Sequence, residues 1–158
     1  MTQHKSHHYK CTVEWTGNKG EGTKSYTAYS RNHLIVIDGK ETLEGSSDAA
    51  FRGDSALHNP EDLLLASLSA CHMLWYLHVC ADAGIIVTAY EDHASGTMEE
   101  RPDGGRFTEV VLHPKVTITD ATRLTEANDL HAKAHKNCFI ANSCNFPVRH
   151  EPSCMAAE

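Results

Sequence analysis

The sequence predicts an α+β fold with the element order βββ-α-ββ-α-β. Three observations carry this: period-two alternation near the N-terminus, one long apolar helix with a well-marked start, and a β-rich stretch followed by a second, amphipathic helix. A length of 158 residues with 41% hydrophobic content suits a single domain, residues 1–158, built on one core.

The segment Tyr9 to Trp15 alternates apolar and polar residues as a half-buried strand does. Gly17, Gly20 and Gly22 mark a turn. Lys24 to Arg31 and His33 to Asp38 then read as two further β segments, the second running into an Asp38-Gly39 turn. From Gly45 to His58 the chain is rich in Ser, Asp, Gly and Ala without a period, which predicts a surface loop. Asn59 suits an N-cap, Pro60 the first helical position, and Glu61 and Asp62 the positive end of the helix dipole. Between Leu63 and Cys80 apolar residues fall on all faces, so the helix is expected to be buried and central, with Gly84 as its stop. Ile85 to Asp92, Gly96 to Glu100 and Phe107 to Thr119 predict a second antiparallel region, with Pro114 at an edge or bulge. Asp120 can cap a second helix whose stripe Leu124, Ala127, Leu130 and Ala134 leads to Cys138. Phe146 to His150 reads as a last strand, and residues 1–8 and 151–158 as loose termini.

A net charge of −7 and the lack of a Lys/Arg cluster argue against nucleic acid as a partner. The N-terminus has no apolar run of signal-peptide type, and Ser67, Ser69, His72 and His78 interrupt the longest apolar stretch. A soluble cytoplasmic protein without a membrane partner is therefore expected. Six cysteines in such a chain point to thiol chemistry, metal binding or burial more than to a disulfide framework. Cys71, in the middle of the long helix, would by itself be read as core packing. A reactive role needs a cation or hydrogen-bond donors nearby.

The segment Asn59-Pro-Glu-Asp-Leu-Leu-Leu-Ala-Ser-Leu-Ser-Ala-Cys71 resembles the NPE(E/Q)L…A(A/S)C segment of the OsmC/Ohr hydroperoxide reductases, including the ten-residue spacing from Glu61 to Cys71. His135-Lys-Asn-Cys-Phe-Ile-Ala-Asn-Ser143 is similar to the family's second motif, in which a cysteine ends a helix before a strand. Tyr29-Ser-Arg-Asn-His33 with Phe51-Arg-Gly-Asp54 looks like a less-studied branch. The resemblance implies an intertwined homodimer with antiparallel sheets wrapped around central helices. It also implies reduction of an organic hydroperoxide by Cys71 through a sulfenic acid, closure of a Cys71–Cys138 disulfide, and reopening by a dithiol, typically a lipoyl-type reductant. No cofactor is required. Glu61 matches the family's glutamate by spacing, and Arg31, in preference to Arg52, is assigned the arginine that keeps the cysteine ionised.

Ten residues of straight helix rise about 15 Å, so Glu61 cannot touch Cys71 of its own chain and a shared site needs a second chain. Without the resemblance, Glu61 reads equally as an N-terminal carboxylate on the helix dipole. Cys144 competes with Cys138 as resolving thiol, while Cys11 and Cys80 read as core and Cys154 lies in the tail. A rival class is metal binding or metal-dependent hydrolysis by His131, His135 and Cys138, an H-x-x-x-H-x-x-C pattern on one helix face. A third is a non-catalytic stress protein of the same fold. His72 beside Cys71 points about 100° away and forms no Cys-His pair by adjacency. Trp15, Trp75, Tyr76 and Phe139 could line an apolar pocket for an alkyl peroxide or simply fill the core.

Overall fold

The computed structural model of this chain describes residues 5–157, with strands and helices in the order βββ-α-ββββ-α-ββ. The chain divides into two compact units, one running to Leu63 and one from Leu64 onward.

The first unit holds an antiparallel meander of β1 (Thr12–Trp15), β2 (His33–Val36) and β3 (Leu43–Gly45), in which Val13 faces Ile35 and Leu34 faces Glu44. Three strands are expected here and three form, but not the same three. Lys24 to Arg31 is a series of turns: Lys24 N–H donates to Glu21 O at 3.3 Å and Ala28 N–H to Ser25 O at 3.1 Å. Arg31 reaches back to the carbonyls of Tyr29 (2.7 Å) and Tyr26 (2.8 Å), curling the segment that a strand would need extended. Leu43–Gly45 supplies the third strand instead.

The long helix α1 (Pro60–Asp82) begins at the end of this unit and carries into the next. Its start is the predicted one: Asn59 Oδ1 accepts Asp62 N–H at 2.7 Å, satisfying one of the four free donors of the first turn. Its end is also as predicted, with Gly84 at φ 68° and Ile85 N–H donating back to Cys80 O at 2.9 Å.

The second unit continues with β4 (Val87–Asp92), β5 (Ser95–Glu99), β6 (Arg106–Leu112), β7 (Pro114–Ile118), α2 (Leu124–Asn137), β8 (Val148–His150) and β9 (Ser153–Ala156). Two sheets result, ordered β4-β7-β9 and β5-β6-β8. Three expectations are corrected here. The single strand 107–119 is two, broken at His113, whose N–H is taken by Asp92 Oδ1 at 2.7 Å, so that the chain leaves one sheet and enters the other. The sheets are mixed, because β6 pairs with β8 and β7 with β9 in parallel. The tail is not loose over Ser153–Ala156: it completes the open edge of β7, placing Val116 opposite Cys154 and Ile118 opposite Ala156. Residues 1–4 and 158 of the expected loose ends lie outside the described residues.

Two apolar clusters hold this unit. One gathers Tyr76, Val79 and Cys80 of α1, Ala127 and Ala134 of α2, and Val116 and Ile118 of β7; the other gathers Leu68 with Val110, Leu112 and Val148. Between them they bury one stripe of α1, Leu68, His72, Tyr76, Val79 and Cys80. The expectation of a helix buried all round holds for this stripe; Leu74 on another face is 62% exposed. Arg123 joins the ends of the two helices, donating to Ala83 O and Gly84 O at 2.9 Å each while pairing with Glu126.

Candidate functional site

Cys71 projects from α1 on the face shared with Trp75 and His78, four and seven residues on, and is half-buried. Cys138 is the residue that ends α2; its N–H donates to His135 O at 3.1 Å, and its side chain is 1% exposed. The two thiols are neighbours where α1 and α2 pack. Burial, and next the contact with Cys71, push the Cys138 thiol up to about 11. Cys138 thus keeps its proton, and Ala141 N–H donates to Cys138 Sγ at 3.5 Å. Trp75 and Phe139 pack edge to face at 5.5 Å next to the pair, Phe139 being 66% exposed, and Leu74, Trp75 and His78 line a shallow apolar recess.

The other expected members of an aromatic pocket lie elsewhere. Tyr76 points into the core, stacks on His131 at 3.8 Å and donates its hydroxyl to Ala127 O at 3.0 Å. Trp15 belongs to the first unit, where its Nε1–H donates to Ser30 O at 2.9 Å. Among the cysteines, Cys80 is core as expected, but Cys11 is exposed. Cys144 donates its S–H to Ile140 O at 3.3 Å, and burial raises its thiol. Cys154 sits on β9 with its sulfur 3.7 Å from the Tyr76 hydroxyl.

Glu61 stands half-buried in the first turn of α1. Arg31 is in the first unit, its guanidinium 4.2 Å from the Tyr26 ring centre and 4.3 Å from that of Tyr29, with both terminal nitrogens donating to backbone carbonyls. Arg52 is exposed and holds a left-handed φ of 65° after a 3-10 turn at Ala49–Phe51. The structure brings Cys71 and Cys138 together and describes Arg31 through partners of its own unit.

The sequence reading pairs His131 with His135 and sets His72 apart, but the structure gathers all three with His150 into one cluster in the second unit, from α1, α2 and β8. His72 Nε2 and His131 Nδ1 are hydrogen-bonded at 2.9 Å. Burial holds His72 down to about 4 and His131 down to about 3, with neighbouring imidazoles adding to both effects. The signal was present, since His72 falls on the stripe Leu68, His72, Tyr76 at helical spacing. For the metal set His131, His135 and Cys138, His131 Nδ1 is engaged by His72, and no three His, Cys, Asp or Glu side chains converge on a metal position among the described residues.

Comparison with known proteins agrees with this architecture. The family described as OsmC-like protein matches residues 53–153. An OsmC-like protein of unknown function from Vibrio cholerae is 30% identical, covering 93% of this chain and 99% of its own, with a TM-score of 0.84. Two structures share the fold at lower identity. An organic hydroperoxide resistance protein OsmC from Legionella pneumophila is 24% identical over 94% of this chain and 98% of its own, TM-score 0.67. An organic hydroperoxide resistance protein from Elizabethkingia anophelis is 23% identical over 97% and 100%, TM-score 0.67. No curated protein matches the chain.

Proposed function

We propose, for a chain that belongs to the OsmC-like protein family, a thiol peroxidase activity in which Cys71 reduces an organic hydroperoxide and Cys138 resolves the product. The observation that carries this reading is the Cys71–Cys138 contact, made by a half-buried sulfur and a fully buried thiol that retains its proton. The Cys71 thiolate attacks the terminal peroxide oxygen, the O–O bond breaks, and the alkoxide leaves with a proton as the alcohol. Cys138 then attacks the Cys71 sulfenic acid; its proton departs with the hydroxyl as water, and a disulfide remains. An external dithiol of lipoyl type, or a lipoylated protein, reopens it through a mixed disulfide. The relatives named organic hydroperoxide resistance proteins support the substrate class, and Leu74, Trp75 and Phe139 favour an alkyl peroxide over H2O2.

Glu61 and Arg31 orient and ionise Cys71 in this reading. Because Glu61 and Cys71 lie ten residues apart on α1, about 15 Å along a straight helix, Glu61 serves the Cys71 of a second chain. A homodimer is supported by the apolar side chains that one chain leaves exposed: Val13, Trp15 and Leu43 of the meander, with Leu74 and Phe139 beside the thiols. The free cysteines fit a reducing compartment such as the cytoplasm. The test is a substoichiometric pulse of an alkyl hydroperoxide followed by mass mapping. A Cys71–Cys138 crosslink is expected; peroxide consumption with a dithiol that persists in Cys71→Ser overturns the assignment.

A further inference from the structure

The imidazole pair at the contact of α1 and α2 is built unlike a packing contact. The His72 and His131 ring centres stand 5.3 Å apart at an interplanar angle of 8°, with Nε2 and Nδ1 at 2.9 Å. The rings therefore meet edge to edge in nearly one plane, joined by an in-line N–H···N bond, whereas Tyr76 lies face to face on His131 at 3.8 Å. Both side chains are essentially fully buried, at 1% and 0% exposure. The outer nitrogens, His72 Nδ1 and His131 Nε2, have no hydrogen-bond partner. Leaving buried polar atoms unpaired costs stability that an apolar pair of similar size would not lose, so stability does not account for these histidines.

Position does. His72 follows Cys71 directly on α1, and His131 stands two helical turns before Cys138 on α2. Apolar contacts between helices are non-directional and permit sliding and rotation. An in-line bond between two planar rings fixes both the separation of the helices and the rotation of α1 about its axis. A disulfide requires Cβ atoms roughly 3.5–4.5 Å apart, a tolerance that such rotation readily exceeds. We propose that the His72–His131 hydrogen bond is the staple that sets α1 against α2 so that Cys71 and Cys138 meet, making both histidines positioning residues for the disulfide. This rests on the thiol pair of the proposed function.

The test compares two substitutions of similar size and polarity. His131→Asn places an amide atom where Nδ1 stands and keeps the bond to His72; His131→Gln places it where Nε2 stands and loses it. Each folded protein is equilibrated in a glutathione redox buffer, with no peroxide present, and the Cys71–Cys138 disulfide is quantified by mass. The Asn variant is expected to stay within threefold of wild type. The Gln variant is expected to hold the disulfide at least tenfold less favourably, about 30 mV in potential. Equal constants for the two overturn the staple. Should the Gln variant not fold, the double variant His72→Leu/His131→Leu takes its place: a tenfold loss supports the staple, and an unchanged constant overturns it. A wild-type chain that forms no Cys71–Cys138 disulfide in this buffer overturns the proposed function itself, so the two failures are told apart.

Discussion

The chain brings thiols into proximity at two places along α1, and the two differ in what surrounds them. Near the middle, Cys71 is half-buried beside an apolar recess and meets the thiol of Cys138. About two and a half turns further on, Cys80 is buried in the core, with the Tyr76 hydroxyl and Cys154 as neighbours; burial is the first cause raising both thiols. Proximity of sulfurs is common to both. A thiol that burial keeps protonated is common to both as well; on α1, access belongs only to the first, Cys71 being half-buried and Cys80 buried, and access is one attribute a reactive thiol needs.

The largest effect expected from breaking this contrast is at Cys71. Cys71→Ser removes the attacking sulfur, and turnover of an alkyl hydroperoxide with a dithiol should fall by about a thousandfold or more. Cys138→Ser should act differently: one equivalent of peroxide is still consumed, but multiple turnover falls by roughly tenfold or more, and Cys71 accumulates as sulfinic acid. Intact-mass analysis after graded peroxide distinguishes the two, since oxygen adducts should build up only in the second.

A smaller effect concerns the histidines next to the Cys71–Cys138 pair. The folded state keeps His72 neutral to about pH 4 and His131 to about pH 3, whereas the unfolded chain protonates both near 6.5. The unfolded state therefore binds more protons between those values. Stability is fully present above about pH 6.5 and is lost as pH falls towards 4, by up to about 1.4 kcal/mol per pH unit for each histidine. Urea midpoints from pH 7 to 4 should fall accordingly; a His72→Leu/His131→Leu chain should show a distinctly flatter profile, and an equal slope in both proteins would refute the assignment.

What the sequence revealed differs between the local and the distant. Asn59 and Gly84 announce helix ends because their chemistry acts within four residues; Asp120 accepts Thr122 N–H at 2.9 Å but caps the 3-10 turn Ala121–Arg123 that leads into α2, whose own N-cap, Arg123, makes no side-chain capping bond. The curled segment before β2 was misread because Arg31 binds carbonyls behind it, a choice that alternation cannot encode. Strand β9 was missed because its stability comes from an open edge on β7, far away in the chain. The site shows the same divide. Cys71 and Cys138 were legible only through resemblance to a family, since nothing in the spacing of two helices fixes which sulfurs meet. His72 adjoins Cys71 in sequence, but its hydrogen-bond partner His131 lies 59 residues away.

The smallest effect sharpens the contrast from its inert side. Cys80 is buried with Val79, Ile85 and Val116, so Cys80→Ala removes one sulfur from a packed core and leaves a small void. The loss should be about 1 kcal/mol, seen as a drop of a few degrees in Tm. Peroxide turnover should stay within about twofold of wild type, because Cys80 offers neither access nor a thiolate, and the Tyr76 hydroxyl retains Ala127 O as its acceptor. A large fall in turnover from Cys80→Ala in a folded protein would mean that electrons pass between the two thiol sites, and burial would then cease to mark which sulfurs in this fold are silent.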